Sequence, residues 1–361
     1  MEIKKINNFY KNKKVLVIGH TGFKGSWLSI SLQKMGSKVY GISLNVPTKL
    51  SHFKMLNFKN SIKDFRLDIR NYDRLKRKIL LIKPDIIFHL AAQSLVKKSY
   101  SNPHETWTTN LLGTLNLFDI LKNLKLKRKM SVIVITSDKC YKNLNQKKKY
   151  LETDLLGDSE PYGASKAAVE VAFRSYFDSF FYKKKKLNIA SARAGNVIGG
   201  GDWSDNRIIP DCYKSWSKNK KAIIRNPNST RPWQHVLEAV YGYLVLAIKL
   251  KKNSKLHGEA FNFGPNTKKN YKVKELIDIL EKNWEGFKWK NQNSKNLLHE
   301  SNLLKLNSKK AEKILGWKTR LQFKETILMT ANWYKEYLLK SKKMLNISIE
   351  QIKYYQNNLK I

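Results

Sequence analysis

Ser137, Asp138 and Lys139 follow directly on an apolar run, Val132-Ile133-Val134-Ile135, so a hydroxyl, a carboxylic acid and an amine stand side by side where a strand stops. A run of that kind reads as a strand buried on both faces, as in a parallel sheet. Polar residues after a strand are ordinarily a plain loop. Three proton-handling groups in a row also suit acid–base work at a strand end. Farther along, Tyr162 and Lys166 stand four apart, on one face of a predicted helix. A phenol with an unperturbed pKa of about 10 is a poor base at neutral pH. A neighbouring ammonium, helped by a second positive charge, would lower that value and let Tyr162 exchange a proton.

The segment "VLVIGHTGFKGSWL" offers that second charge. It places Gly19, Gly22 and Gly25, with Thr21 and Phe23 between them, after a predicted strand and at the entry of a helix. Glycines there allow a tight turn and bring a pyrophosphate against backbone N–H groups, a variant of the dinucleotide fingerprint. A bound dinucleotide would set its nicotinamide beside the Tyr–Lys pair. The acid that usually meets the ribose is missing at the end of the second strand, where Ser43 and Asn45 stand. No Arg follows there for a 2′-phosphate, although Lys49 is close, so NAD is preferred over NADP. Asp68 and Ile69 are expected either to face the adenine or, for Asp68, to cap the next helix.

The elements that must position these residues alternate. Apolar runs at 14–19, 38–43, 64–69, 85–91, 131–137 and 188–199 read as strands, with helical periodicity between them. "EPYGASKAAVEVAFRSYFDSFFYKK" reads as a long helix entered through Pro161. The pattern loosens beyond Gly199, apart from "RPWQHVLEAVYGYLVLAIKL" and the short strand "EAFNFG". The expected fold is α/β: a doubly wound Rossmann-type parallel sheet with a smaller C-terminal substrate-binding lobe. Residues 1–190 form the NAD-binding part, which also receives the 188–199 strand and a 233–250 helix. Residues 199–361 mostly form the lobe, interleaved with it.

Composition narrows the classes. Hydrophobic content of 42% fits a globular chain. Two cysteines, Cys140 and Cys212, make no framework and point to a reduced compartment. Neither a signal peptide nor a membrane span is expected, so the reading is soluble and cytoplasmic. The net charge of +42 would suit a nucleic acid or an anionic membrane. Only eleven of the 70 basic residues are Arg, however, and the Lys are scattered over the chain. Clusters such as "KKKK" (Lys183–Lys186) and "QKKKY" fall in predicted loops. A solvated basic surface is the simpler reading, with no nucleic acid and no membrane as partner.

"GHTGFKGSWL", "FHLAAQSLVKKSY", "TNLLGT", "ITSDKCYKN", "PYGASK", "ARAGNVIGGGDW", "RIIPD" and "RPWQHVLEAVYGYL" together resemble the sugar-nucleotide branch of the extended short-chain dehydrogenase/reductases. Within it they are most similar to the CDP-glucose 4,6-dehydratases, from about Asn8 to the terminal "ISIEQIKYY". The resemblance implies bound NAD, CDP-glucose as substrate, no metal, and a homodimer or homotetramer. It also implies a course of reaction. Tyr162, tuned by Lys166, takes the proton of the sugar C4 hydroxyl as hydride passes from C4 to NAD. The 4-ketone acidifies C5, a base removes that proton, the C6 hydroxyl leaves as water, and hydride returns to C6. Ser137 would hold the C4 oxygen and Asp138 would protonate the departing one. Thymidine-diphosphate-sugar dehydratases carry Asp-Glu at this place. Lys139 would then be the C5 base, provided it is neutral.

Other positions carry over more loosely. His89, Leu90, Ala91, Ala92 and Gln93 should line cofactor and sugar, and Asn110 should support the active-site helix. Arg193, Arg207 and Arg231 are expected to hold pyrophosphate. Asn196, Asp202 and Trp203 are expected at the nucleotide sugar, and His235 at the substrate or in the core. Ser94, Lys98 and Gly163 depart from residues common among relatives. The rival enzyme readings are a dehydratase on another nucleotide and a 4-epimerase. A more distant rival is a non-enzymatic, basic Rossmann binding protein.

Overall fold

The apolar runs become one seven-stranded, all-parallel sheet because most of their residues are buried. Its strands are β1 (Lys14–Ile18), β2 (Lys38–Ser43), β3 (Ile62–Arg66), β4 (Ile86–His89), β5 (Met130–Ile135), β6 (Leu187–Ala194) and β7 (Ala260–Phe263), in the order β7-β6-β5-β4-β1-β2-β3. The computed structural model describes residues 2–58, 61–144, 148–265, 269, 271–291 and 304–360. Alternation along a strand splits its side chains between two cores. Val15 and Val17 join one core and Leu16 and Ile18 the other.

Helices cover both faces, as a parallel sheet requires. The four that bear on the site are α1 (Phe23–Lys34), α2 (Gly113–Asn123), α3 (Pro161–Tyr176) and α4 (Val236–Lys252). The helix α4, buried along nearly its whole length, packs on β5, β6 and α1. The chain runs from β1 outward through β2 and β3, and β4 returns to the other side of β1. The crevice outside the carboxyl ends of β1 and β4 is therefore the switch point where doubly wound sheets take ligands.

Three boundaries differ from the sequence expectation. The third strand runs 62–66 instead of 64–69, because Asp68 Oδ1 accepts the N–H of Arg70 at 2.9 Å and turns the chain. The 188–199 run breaks after Ala194: Asn196 takes φ +52°, and Val197–Ile198 leaves the sheet to pair with Gln234–His235. The 260–263 strand belongs to the main sheet, in parallel register with 191–194, not to the C-terminal lobe. The lobe is stitched on elsewhere too. His52 bridges Ser26 of α1 (2.8 Å) and Ser348 of the 344–357 helix (2.9 Å). Within the lobe, Trp216 and Trp284 stack at 4.6 Å with planes 4° apart. The Lys183–Lys186 cluster lies in the turn before β6, whereas Gln146 and Lys147 of "QKKKY" lie outside the described residues.

Glu238 of α4 is an interior strut. Its Oε1 accepts the N–H groups of Arg320 (2.6 Å) and Leu321 (2.7 Å), and its Oε2 accepts the Tyr355 hydroxyl (2.7 Å). Burial pushes its pKa up to about 7. The folded state thus holds a proton that the unfolded chain releases near 4.5, so this group's stabilising contribution is lost as pH rises through that window. Glu238→Gln, which keeps the two N–H acceptor bonds, is expected to remove that loss. Relative to wild type it should gain on the order of 1–3 kcal/mol in urea unfolding at pH 8, and nothing at pH 4.

Candidate active site

The carboxyl end of β5 opens into a cavity of about 380 Å³, lined by Lys24, Ser137, Asp138, Lys139, Tyr162, Asn196, Asp202, Arg207 and Arg231 among others. The Ser137 hydroxyl donates to Asp138 Oδ1 at 2.9 Å, and Oδ2 accepts the Asn196 amide at 3.0 Å. Gly195 leaves the space: a Cβ there would lie 1.9 Å from the carboxyl carbon of Asp138. Tyr162 enters from the first turn of α3. Burial pushes its phenol up to about 12, against a hydrogen bond with Ser137 that acts the other way. Lys166 Nζ donates to Ile135 O at 3.4 Å, and burial together with the Lys24 charge brings it down to about 8. The expected lowering of the phenol by Lys166 is therefore not what the protein alone produces. Both groups are desolvated, and burial is the largest cause of each shift.

Glu160, which the sequence reading passed over, organises the start of α3. Its carboxylate accepts the N–H groups of Tyr162 and Gly163, both at 2.9 Å, and the Ser99 hydroxyl at 3.1 Å. It also stands 3.6 Å from Lys139 Nζ. An acid just ahead of Pro161, at the first position of a helix, was the legible signal of a cap. Gly163 is required by this packing, since a Cβ would meet Asp158 Oδ2 at 2.4 Å and Lys139 O at 2.7 Å. Asn110 donates to Ser165 Oγ of α3 at 2.8 Å and to Gln93 O at 3.0 Å, and accepts the Gln93 N–H at 2.8 Å.

The crevice at β1 and β4 fits a dinucleotide. Gly19 takes φ +96°, and a Cβ there would lie 2.6 Å from Ala91 N, so Leu90, Ala91 and Ala92 can close on the turn only if position 19 is glycine. Gly22 caps α1 without a side-chain partner, leaving the helix N-terminus to backbone groups alone, and Thr21, Phe23 and Gly25 complete the turn. At the ribose end one expectation is revised. Parallel pairing sets Arg66 opposite Ser43, and its guanidinium donates to Leu44 O at 2.8 Å. An arginine does reach the end of β2, but it pairs with Asp64 at 2.6 Å. Asp68 is likewise bound to Arg70, whose hydrogen bond holds its carboxyl below the usual range. Ile69 packs beneath Gly113.

Several expected ligand contacts lie elsewhere. Arg193 does not face the cavity. It sits on β6 with Nη2 on Glu170 at 2.8 Å and Nη1 on the Tyr141 hydroxyl at 2.7 Å and Glu152 O at 3.0 Å. Burial opposes charge on Glu170, yet Arg193 and the hydroxyls of Thr136 and Ser191 hold it below the usual range. Trp203 is buried in the lobe's aromatic cluster, while its neighbour Asp202 reaches the cavity and pairs with Arg207 at 2.6 Å. His235 caps α4 through Nδ1 and is buried, its pKa lowered by burial to about 3. Gln93 spends its amide on Thr106 and Leu95. Arg225 and Asn226 line the cavity, and nothing in their sequence context marked them. Among the described residues no cluster of His, Cys, Asp and Glu could hold a metal, and no helix is long and apolar enough to cross a membrane.

Comparison with known proteins agrees with this geometry. The pattern of the GDP-mannose 4,6 dehydratase family matches residues 16–330. The CDP-glucose 4,6-dehydratase of Salmonella typhimurium is 40% identical, over 97% of this chain and 98% of its own. The human dTDP-D-glucose 4,6-dehydratase is 26% identical over 90% of each chain. Two solved structures share the fold. The dTDP-glucose 4,6-dehydratase of Bacillus anthracis in complex with NAD has a TM-score of 0.74 and 21% identity, covering 90% of this chain and 97% of its own. The UDP-glucuronic acid 4-epimerase of Bacillus cereus has a TM-score of 0.76 and 23% identity, covering 90% and 99%.

Because Arg193 is paired inside the protein, its removal should act on stability. Arg193→Met leaves the Glu170 carboxylate buried without its counter-charge. It is expected to cost about 3–5 kcal/mol in chemical unfolding, with the nucleotide-sugar KM of the remaining folded fraction little changed.

Proposed function

The chain belongs to the GDP-mannose 4,6-dehydratase family of extended short-chain dehydrogenase/reductases, and from that premise we propose that it is a CDP-glucose 4,6-dehydratase. It converts CDP-glucose to CDP-4-keto-6-deoxyglucose and water. The observation that carries this reading is the hydrogen-bonded file of Tyr162, Ser137 and Asp138 along one wall of the cavity. A 4-epimerase has no use for an acid at C6. The CDP-sugar is favoured over other nucleotide sugars by the near full-length likeness to the Salmonella enzyme.

NAD is the cofactor, and when bound it would supply the hydride acceptor and donor of the reaction. The chain's own residues do the rest. The glycine turn and the N–H groups opening α1 would hold the cofactor pyrophosphate. Lys166, fixed on Ile135 O, would place a positive charge beside the reacting phenol. Tyr162 accepts the C4 hydroxyl proton, and Ser137 holds the C4 oxygen. Asp138, aimed by Asn196 and Ser137, protonates the departing C6 oxygen. Arg207 and Arg231 meet the substrate's diphosphate, with Asn196 and Asp202 beside them. The apolar residues Trp107 and Leu112, exposed just before α2, and Val171, exposed on α3, support a homo-oligomer formed through these helices. The buried, unpaired Cys140 and Cys212 support a reducing, cytoplasmic setting.

Incubation with CDP-, dTDP-, UDP- and GDP-hexoses, followed by mass spectrometry, tests the reading. Loss of one water from CDP-glucose, without net NADH, is the expected result; unchanged mass with an altered sugar configuration would make the protein an epimerase. Asp138→Asn should lower turnover by about 10²–10⁴ while leaving NAD binding intact. Full turnover in that variant would remove Asp138 from the elimination.

A further inference from the structure

With its sugar at Ser137, Asp138 and Tyr162 and its diphosphate at Arg207 and Arg231, a nucleotide sugar must place its base beyond the two arginines. Asp211 stands there. It belongs to the helix Ile208–Trp216, one turn along from Arg207, and its N–H donates to Arg207 O at 3.0 Å. Residues four apart share a helix face, and both of these line the cavity. Arg207 still bears on Tyr162 at the reacting end, whereas the charged groups that bear on Asp211 are Lys214, Arg225 and Asp205. Strand end, Arg207 and Asp211 thus follow one another in the order in which sugar, diphosphate and base are joined.

The cavity wall continues in the strand Ala222–Ile224, held in parallel with Trp289–Asn291, and in Arg225 and Asn226, which follow it. Asn226 is pinned by its own carbonyl, which accepts the N–H of Ser229 at 3.2 Å and its hydroxyl at 2.9 Å. An acceptor therefore stands among donors at this end of the cavity. Lys214 does not cancel that acceptor, since its amine is engaged by Asp205 and by Trp203 O. Burial lifts the Asp211 carboxyl above its usual range, against the Lys214 and Arg225 charges and a hydrogen bond from the Asn206 backbone. A carboxylate so placed gains from any further donor that a ligand brings.

Pyrimidine bases differ in what they offer such a site. Cytosine carries an amine at C4, with N3 and O2 as acceptors, whereas uracil and thymine carry a carbonyl at C4 and an N–H at N3. Resting on the reading of the chain as a CDP-glucose 4,6-dehydratase, we propose that Asp211 selects the cytosine base by accepting its C4 amine, with Arg225 and Asn226 as donors for N3 and O2. A carboxylate has no hydrogen for the C4 carbonyl of uracil or thymine, so those bases would set two acceptors against each other in a partly enclosed site. Pairing of this kind rejects the wrong ligand more strongly than an apolar slot does. Asp211 is then a residue of substrate choice, with no part in the chemistry at C4, C5 or C6.

The amine is tested first on the unaltered enzyme with NAD bound. Cytidine 5′-monophosphate should bind at least about tenfold more tightly than uridine 5′-monophosphate, and than the pyrimidin-2-one riboside 5′-monophosphate, which lacks the amine and adds no bulk. Equal binding of the cytosine and pyrimidinone nucleotides would overturn the proposal. Asp211→Asn then assigns the residue, because a carboxamide can donate to a C4 carbonyl. In that variant the affinity ratio of cytidine to uridine monophosphate should fall at least about tenfold, and the KM for CDP-glucose should rise. An unchanged ratio, or an equal loss with both nucleotides, would overturn the assignment, since a structural role weakens both alike. Asp211→Ala keeps the test open if the first variant does not fold: its preference for the cytosine over the pyrimidinone nucleotide should vanish, and persistence of that preference would overturn the proposal. Failure of the parent reading is seen separately, as wild-type enzyme that does not dehydrate CDP-glucose.

Discussion

The Glu170 carboxylate is where the site is tied together. It belongs to α3, and it accepts hydrogen bonds from Thr136 at the end of β5 and from Ser191 and Arg193 on β6. The helix that carries Tyr162 and Lys166 is thus fastened to the strand end that carries Ser137, Asp138 and Lys139. A buried charge pair is a costly fastener, since two ions must leave water, and it holds only when the remaining lone pairs are met. Here two hydroxyls and a bidentate-capable guanidinium meet them. What such a pair supplies is geometry: the phenol and the acid cannot drift apart without uncovering a charge in the interior. On this view Arg193 acts on the chemistry without touching the nucleotide.

That arrangement also explains why the site tolerates so high a density of carboxylates near a strand end. Asp138, Glu160 and Glu170 are all buried, and each is given several donors instead of one. Asp138 has Ser137, Asn196 and the Lys139 N–H. Glu160 has two helix N–H groups, Ser99 and the Lys139 amine. The excess Lys of the chain plays little part in this. Among the described residues, Lys24 and Lys139 line the cavity and Lys166 is bound to Ile135 O behind Tyr162, and most of the other lysines are exposed, where positive charge attracts anions without selecting among them.

The parts legible in the sequence were those with local signatures. An apolar run marks β5, a glycine turn after β1 marks the cofactor crevice, and a four-residue spacing marks Tyr162 and Lys166. Tertiary register was not legible. Arg66 arrives at the end of β2 only because β3 pairs in parallel with Ser43 opposite it. Arg193 reads as a phosphate binder until alternation on β6 turns it inward to Glu170. The strand at 260–263 looks like part of a loose lobe until its backbone pairs with β6. Lys24 was hidden for another reason. Inside a glycine motif it is read for its backbone, and only the folded chain shows that its side chain crosses to Ala194 O.

Dehydration yields a ketone at C4 and a water from C6, so the hydrogen lost from the C4 hydroxyl must leave in that water. On the proposed reading, Tyr162 receives it and Asp138 delivers it. Ser137 lies between them, hydrogen-bonded to both. A hydroxyl is suited to this place because it donates and accepts at once and can pass a proton by exchanging one O–H bond for another. Burial pushes the phenol up to about 12, which opposes the phenolate that accepts the C4 proton, so the Lys166 charge beside it must act together with that of the bound cofactor.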